Sequence, residues 1–254
     1  MTEKNIDTKT DIILPSAQEL LEAGVHLGHR TSRWHPKMEQ YIFASKNNVH
    51  IFDLEKTISK LTEALNFMKG VLRRGGMILF VGTKPVAKAA VKEAARELEM
   101  PYVLERWLGG TLTNFKTITK RLQYLKRLED EEKSGAWEKF TKKEVLQLKR
   151  EMTKLNQQLE GIRSLVRLPD AVFVADAKAD DIAVREAKRM KIPVVGICDT
   201  NIDPTPINYP VPANDDASSS LKVLMGAIVA NLKGVEPLAP QEKNKGEEKT
   251  GANS

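Results

Sequence analysis

Residues 77–105 read MILFVGTKPVAKAAVKEAARELEMPYVLE, and the alternation inside them decides the fold class. Met77–Val81 is an unbroken apolar run of strand length, stopped by Gly82. Pro85 stands where proline's fixed φ favours a helix start, and the Ala-rich stretch behind it runs to about Leu98. Tyr102–Leu104 returns to a strand. The rhythm recurs downstream: a strand at Ala171–Ala175, a helix over about Asp180–Met190, a strand at Pro193–Ile197 and a closing helix at Ser218–Leu232. Apolar strands without polar alternation, separated by helices, indicate a parallel sheet covered on both faces. The expected fold class is α/β: a doubly wound, mainly parallel sheet with helices on both faces.

Upstream, Ser16 suits the N-cap of a short helix ending at Gly24. His26–Lys37 has neither a helical nor a strand period and is expected as an ordered loop. Tyr41–Ala44 and Val49–Phe52 flank Ser45–Asn48 as a hairpin. Apolar positions 54, 58, 61, 65, 68 and 72 mark a helix over Leu54–Arg74. Between the strands at 102 and 171, Val145, Leu148, Met152, Leu155, Leu159 and Ile162 recur at spacings of 3 and 4. Phe115, Ile118, Leu122, Leu125 and Leu128 repeat that alternation on the near side, which is the coiled-coil pattern. Thr141 with Glu144 makes a capping box and Phe140 with Val145 a staple, so the second helix starts near Lys142, with the turn at Ser134–Gly135. An antiparallel coiled-coil helical hairpin inserted into the α/β domain is therefore expected, its leucines buried mainly by the facing helix. The domain organisation follows: a flexible tail over 1–15, an α/β domain from 16–111 and 167–233, the hairpin at 112–166 and a disordered tail at 234–254.

The chain has 254 residues, 41% of them hydrophobic, enough for a sizeable core. Its first ten residues are polar and charged, without a secretory signal, and its apolar runs fall far short of the ~20 residues of a membrane span. The single cysteine, Cys198, excludes an internal disulfide and Cys₂ or Cys₄ zinc sites. A cytoplasmic soluble protein is expected. The net charge is +6 and the pI about 9.2. Thirteen Lys and Arg against eight Asp and Glu in Leu112–Val166 put +5 of that charge in a fifth of the chain. Such a balance favours a polyanionic partner.

Catalytic signatures are absent: no G-x-G-x-x-G follows a strand, and neither G-x-x-x-x-G-K-[ST] nor G-x-S-x-G occurs. Val81–Lys84 joins a strand to a helix N-terminus and reads either as a phosphate turn or as an ordinary βα turn. Cys198 has no histidine near it in sequence, since all four lie before residue 51. Asp176 and Asp199 each follow a strand, at the edge where such sheets bind ligands. Asp203, Asp215 and Asp216 can join them around a divalent ion, with Asp199, Asp215 and Asp216 as the candidate ligands of a structural or bridging metal. The alternative is that these acids cap helices and shape the DTNIDP turn. His26, His29 and His35 lack the i, i+4 spacing of a zincin pair.

The basic features point elsewhere. His26, His29, Arg30, Arg33, Trp34, His35 and Lys37 fall within twelve residues. Arg106, Trp107, Thr113, Asn114 and Lys116, interleaved with Gly109 and Gly110, repeat the mixture beside the hairpin. Cations for phosphates, aromatic rings for exposed bases and glycines for close approach are what an RNA surface requires. Either tryptophan also reads as plain core.

The stretches LLEAGVHLGHRTSRWHPKM and YIFASKNNVHIFDLEKT resemble the opening of the ribosomal protein S-two family of the small subunit, bacterial type. So do ILFVGTK, RWLGGTLTNFKT, the LPDAVFVAD…AVREAKRMKIPVVGICDTN block and PANDDA, in order from about residue 16 to 233. The resemblance implies a non-enzymatic structural role: contact with 16S rRNA, a part in subunit assembly, and help in anchoring the OB-repeat protein that captures messenger RNA. It implies no cofactor, no membrane and no small-molecule substrate, and places the rRNA contacts in the 26–37 and 106–116 segments. The rival readings are a metal- or phosphate-dependent enzyme built on Asp176, Asp199 and the Gly82 turn, and a protein–protein adaptor working through the hairpin.

Overall fold

The computed structural model describes residues 12–237. Ser16 caps α1 (Ala17–Glu22) through a capping box in which the Glu19 N–H donates to Ser16 Oγ (3.2 Å) and the Ser16 N–H to Glu19 Oε2 (2.7 Å). β1 (Leu27–Arg30), β2 (Ile42–Lys46) and β3 (Val49–Phe52) form a small antiparallel sheet in the order β1-β3-β2. Asn47 and Asn48 sit at φ 51° and 60° in the β2–β3 turn, the left-handed pair that a two-residue hairpin needs and asparagine tolerates. The 26–37 segment, expected as a loop, thus begins as a strand. β1 is only four residues long and its register against β3 shifts between Leu27 and Arg30, so no alternation reaches the sequence. A 3-10 turn over Pro36–Tyr41 follows it.

α2 (Leu54–Arg73), capped by Asp53, leads into β4 (Ile78–Val81), α3 (Pro85–Glu97) and β5 (Tyr102–Val103). α4 (Phe115–Lys133) and α5 (Lys142–Leu159) come next, then β6 (Ala171–Val174), α6 (Asp181–Arg189), β7 (Val194–Cys198), β8 (Tyr209–Pro212) and α7 (Ser218–Leu232). The larger sheet has the order β5-β4-β6-β7-β8, with every pair parallel. β8 is a strand the sequence hides: Pro210 and Pro212 cannot donate to a ladder, which is tolerated because β8 is an edge strand.

Side chains of a strand alternate between faces. Ile78, Phe80, Ala171, Phe173, Val195 and Ile197 point to one side and are buried with residues of α2, α3 and α7. Leu79, Val81, Val172, Val174, Val194 and Cys198 point to the other and meet Ala183, Val184 and Ala187 of α6. Both faces are covered, as the fold class requires. No described helix is long and apolar enough to cross a membrane.

α4 and α5 are joined through Ser134–Gly135 and a 3-10 turn at Ala136–Lys139, and Thr141 with Glu144 forms the expected capping box of α5. Ile118, Leu125, Leu159 and Ile162 at the base belong to the same buried cluster as Leu79 and Val172, so this end of the hairpin is continuous with the sheet's core. Further out Val145, Leu148, Met152 and Leu155 are only half-buried. The base is pressed hard against β5: a Cβ on Gly161 would lie 2.1 Å from the Tyr102 carbonyl oxygen. Of the expected tails, residues 12–15 are held to the body, with the Ile13 N–H donating to Asn231 Oδ1 (3.0 Å) and Asn231 Nδ2 to the Ile13 carbonyl (2.6 Å). Val235 packs against the core. Positions 1–11 and 238–254 lie outside the described residues.

Candidate nucleic-acid interface

Strands of a parallel sheet end at a common edge, and the loops leaving β4, β6, β7 and β8 bring Lys84, Asp176, Asp199 and Asp215 there. Lys84 Nζ lies 3.0 Å from Asp176 Oδ2, 2.7 Å from Asp215 Oδ1 and 2.6 Å from Asp216 Oδ1. His29 of β1 reaches the same group, Nδ1 3.0 Å from Asp199 Oδ1 and Nε2 3.5 Å from Asp216 Oδ2. Four carboxylates against one ammonium and one imidazole leave the edge short of positive charge. Burial, then Asp176 and Asp199, push the Asp215 carboxyl up to about 7 against the opposition of Lys84. The close approach of the Asp199 carboxylate raises His29 above its ordinary value despite burial. Burial disfavours the charge on Lys84, but the surrounding carboxylates outweigh it and hold the amine protonated.

The candidate metal trio is rearranged by this geometry. Asp215 is taken up by Lys84, Asp203 pairs instead with Lys37 (2.9 Å), and Asp216 is shared, its Oδ1 on Lys84 and its Oδ2 beside His29 and Asp199. His29, Asp199 and Asp216 offer ligand atoms all within 4.8 Å of one another, and Asp199 Oδ2 is buried without a partner. The Val81–Lys84 turn is closed to a phosphate. The Thr83 N–H and Oγ1 already donate to Asp180 Oδ2 (3.3 Å) and Oδ1 (2.7 Å), so an anion there would meet a buried carboxylate. Cys198 is fully buried, which pushes its thiol up and leaves it a small hydrophobe.

The 26–37 segment is pinned at several points to this edge. The His29 N–H donates to Thr200 Oγ1 (3.0 Å), the His35 N–H to the Thr200 carbonyl (2.7 Å), and Lys37 Nζ to Asp203 Oδ2 and Thr205 Oγ1. β1 passes so close that a Cβ on Gly28 would lie 2.6 Å from Thr200 Cγ2. The His26 carbonyl accepts from the Phe52 N–H and its ring is half-buried, which lowers its pKa. His35 Nδ1 accepts from the Lys37 N–H and caps the 3-10 turn. Between the pins, the Arg33 N–H bonds the Arg30 carbonyl (2.8 Å) in a tight turn that leaves both guanidinium groups exposed. Trp34 is 38% exposed, its ring tilted against His50 at 5.2 Å.

The 106–116 segment wraps around one carboxylate. Glu186 of α6 accepts from Trp107 Nε1 (3.1 Å) and the Gly110 N–H (2.7 Å) on Oε1. On Oε2 it accepts from the Leu112 N–H (3.0 Å), the Thr113 N–H (3.1 Å) and Thr113 Oγ1 (3.1 Å). Burial alone would raise its pKa, yet these donors outweigh it and hold the carboxyl below its ordinary range. Trp107 is buried to 5% exposure and works inside the protein, as the core alternative for it supposed. Thr113 is likewise occupied, while Arg106, Asn114 and Lys116 remain exposed.

Sequence reasoning missed Lys84 and Glu186. Lys84 follows β4 as Asp176 and Asp199 follow β6 and β7, and strand order alone places it beside them. Glu186 reads as an ordinary helix acid. Its signal was its place on the apolar stripe of Ala183, Val184 and Ala187, where a charge needs partners.

A family model described as ribosomal protein S2 matches residues 20–234. The match takes in both sheets, the α4–α5 hairpin, the pinned 26–37 segment and the charged edge. The chain belongs to the ribosomal protein S2 family, structural proteins of the small ribosomal subunit.

Proposed function

We propose that the protein binds 16S rRNA, takes part in assembling the small subunit and helps to anchor the OB-repeat protein that captures messenger RNA. The observation that carries the RNA reading is the Arg30–Trp34 turn. Two exposed guanidinium groups and a partly exposed indole stand within five residues, on a backbone pinned on both sides at His29 and His35. Guanidinium groups position phosphates, and an indole face stacks on an unpaired base. Arg106, Asn114 and Lys116 add exposed polar groups on the segment that wraps Glu186, whereas Trp107 and Thr113 are bound to that carboxylate. The α4–α5 hairpin, read as a coiled-coil arm, supplies further cations. The role is structural, and the rival enzyme reading on Asp176 and Asp199 is weakened because Lys84 and His29 already hold those carboxylates.

Co-sedimentation with small subunits in moderate salt tests this reading against the adaptor alternative. RNA affinity of the isolated protein is expected to fall steeply with salt. Six engaged phosphates give a log–log slope of about −4 to −5. A flat dependence would refute phosphate-dominated binding.

A second reading concerns the edge itself. Asp199 Oδ2, buried and unpartnered beside His29 and Asp216, favours a structural divalent ion there. The ion would tie β1 to the loops after β7 and β8. Addition of zinc to chelator-treated protein is then expected to raise the melting temperature, and His29→Ala to abolish the rise. An unchanged melt in wild type would remove the ion from the account.

A further inference from the structure

Six of the thirteen Lys and Arg of 112–166 line up along two helix faces. On α4, Lys116, Lys120, Gln123 and Arg127 follow one another at spacings of 4, 3 and 4. On α5, Lys143, Gln147, Arg150 and Lys154 repeat those spacings. At 3.6 residues per turn each set falls within an arc of about 60° and extends about 16 Å along its helix. All eight side chains are exposed. In each helix the stripe lies roughly 150–180° around the axis from the apolar seam of Ile118, Leu122 and Leu125, or of Leu148, Met152 and Leu159.

Several acidic residues of the hairpin are engaged away from the stripes. Glu129 takes both guanidinium nitrogens of Arg163 (2.6 and 3.2 Å), Glu132 takes Lys149 (3.2 Å), Glu144 closes the α5 capping box and Glu160 faces Arg96 (3.5 Å). Only Arg127 on the two stripes has an ion pair among the described residues, an exposed one with Glu131 at 3.4 Å. Each stripe is then a line of positive charge broken by one amide, with one exposed acid near its margin, Asp130 on α4 and Glu151 on α5.

The pair Glu132–Lys149 joins α4 to α5, Glu129–Arg163 ties α4 to the segment just after α5, and Ile118, Leu125 and Leu159 share one buried cluster. The seams therefore face each other, and the stripes must face apart. We propose that the hairpin is a two-sided bar that binds two separate RNA segments. Lys116, Lys120 and Arg127 engage phosphates of one, while Lys143, Arg150 and Lys154 engage phosphates of the other. This rests on the RNA reading above and assigns its geometry. The stripes carry no apolar anchor of the kind that gives a protein interface its affinity, whereas spaced cations interleaved with glutamine suit phosphate and 2′-hydroxyl groups.

The test uses the full chain and a short RNA duplex of arbitrary sequence, labelled separately with donor and acceptor dyes. Wild type is expected to bring two duplexes together, seen as energy transfer. With the Arg30–Trp34 site removed by Arg30→Gln/Arg33→Gln, Lys116→Gln/Lys120→Gln/Arg127→Gln and Lys143→Gln/Arg150→Gln/Lys154→Gln should each abolish the transfer that this background retains. Each should keep single-duplex binding with a salt slope shallower by about 2–3. All six positions are exposed, so the melts should match wild type. Transfer that survives either triple variant in that background, or wild type that saturates with one duplex, overturns the two-sided bar. If both triple variants leave binding untouched while Arg30→Gln/Arg33→Gln removes it, the bar falls and the RNA reading stands. Wild type that binds no RNA brings down both.

Discussion

Replacing Glu186 with alanine is expected to lower the unfolding free energy by about 3–5 kcal/mol. The substitution removes one carboxylate and strands the Trp107 indole N–H with the backbone N–H groups of Gly110, Leu112 and Thr113. A buried donor without an acceptor costs about 1–3 kcal/mol. The total stays below four such penalties because water can reach the half-buried Gly110 and Thr113. Glu186→Gln should cost about half as much, since its amide turns one of two accepting oxygens into a further donor facing donors. Urea unfolding of the three proteins gives the ranking, and a loss under 1 kcal/mol in the alanine variant would refute the knot's importance. The pH dependence has a definite sign. The folded carboxyl titrates below its ordinary 4.5, so wild type keeps this stabilisation above that value and loses it as pH falls through the depressed one. Glu186→Gln lacks the titrating group, and its stability should be flatter across that acid range.

The hairpin should divide unequally. Excising 117–162 takes away Ile118, Leu125, Leu159 and Ile162, each at most 3% exposed and each in the cluster that covers one face of the sheet. Truncating a buried leucine or isoleucine costs about 2–5 kcal/mol, so four losses approach the whole stability of an ordinary domain, about 5–15 kcal/mol. That variant is expected to be molten. Replacing only 127–154 with a short Gly-containing turn keeps all four side chains and should leave a cooperative melt within a few degrees of wild type. It removes Arg127 and the α5 stripe, so RNA affinity should drop and the salt slope flatten. Circular dichroism melts and salt-titrated binding read the two halves. A molten short variant, or a cooperative full excision, would refute this division.

The sheet was legible because β4, β6 and β7 are buried on both faces and read as continuous apolar runs, with helix caps and Pro85 marking what lies between. β1 and β8 were not, for opposite reasons: β1 is short, polar and shifted in register, and β8 carries two prolines that only an edge tolerates. The heptads located both helices, but periodicity does not say what a seam is buried against. That is why Ile118 and Leu159 turned out to serve the sheet as well as each other. The charged edge was half legible. Aspartates after strands announced themselves, while the partnership of Lys84 and His29 depends on strand order and on a second sheet docking there.

The clasp between Ile13 and Asn231 has a consequence in time. The two residues stand 218 positions apart, and Gly24 likewise waits for Asn214 across 190. At ~5–20 residues per second of synthesis, Ile13 emerges roughly 10–40 s before the side chain that holds it. The β4–β6 pairing is delayed as well, because the whole α4–α5 excursion is translated between its two strands. Closing contacts of such long range is slow for the same entropic reason. The Ile13 clasp can thus close only once α7 has been made, and a nascent chain that stops before α7 lacks the side chain that fastens it.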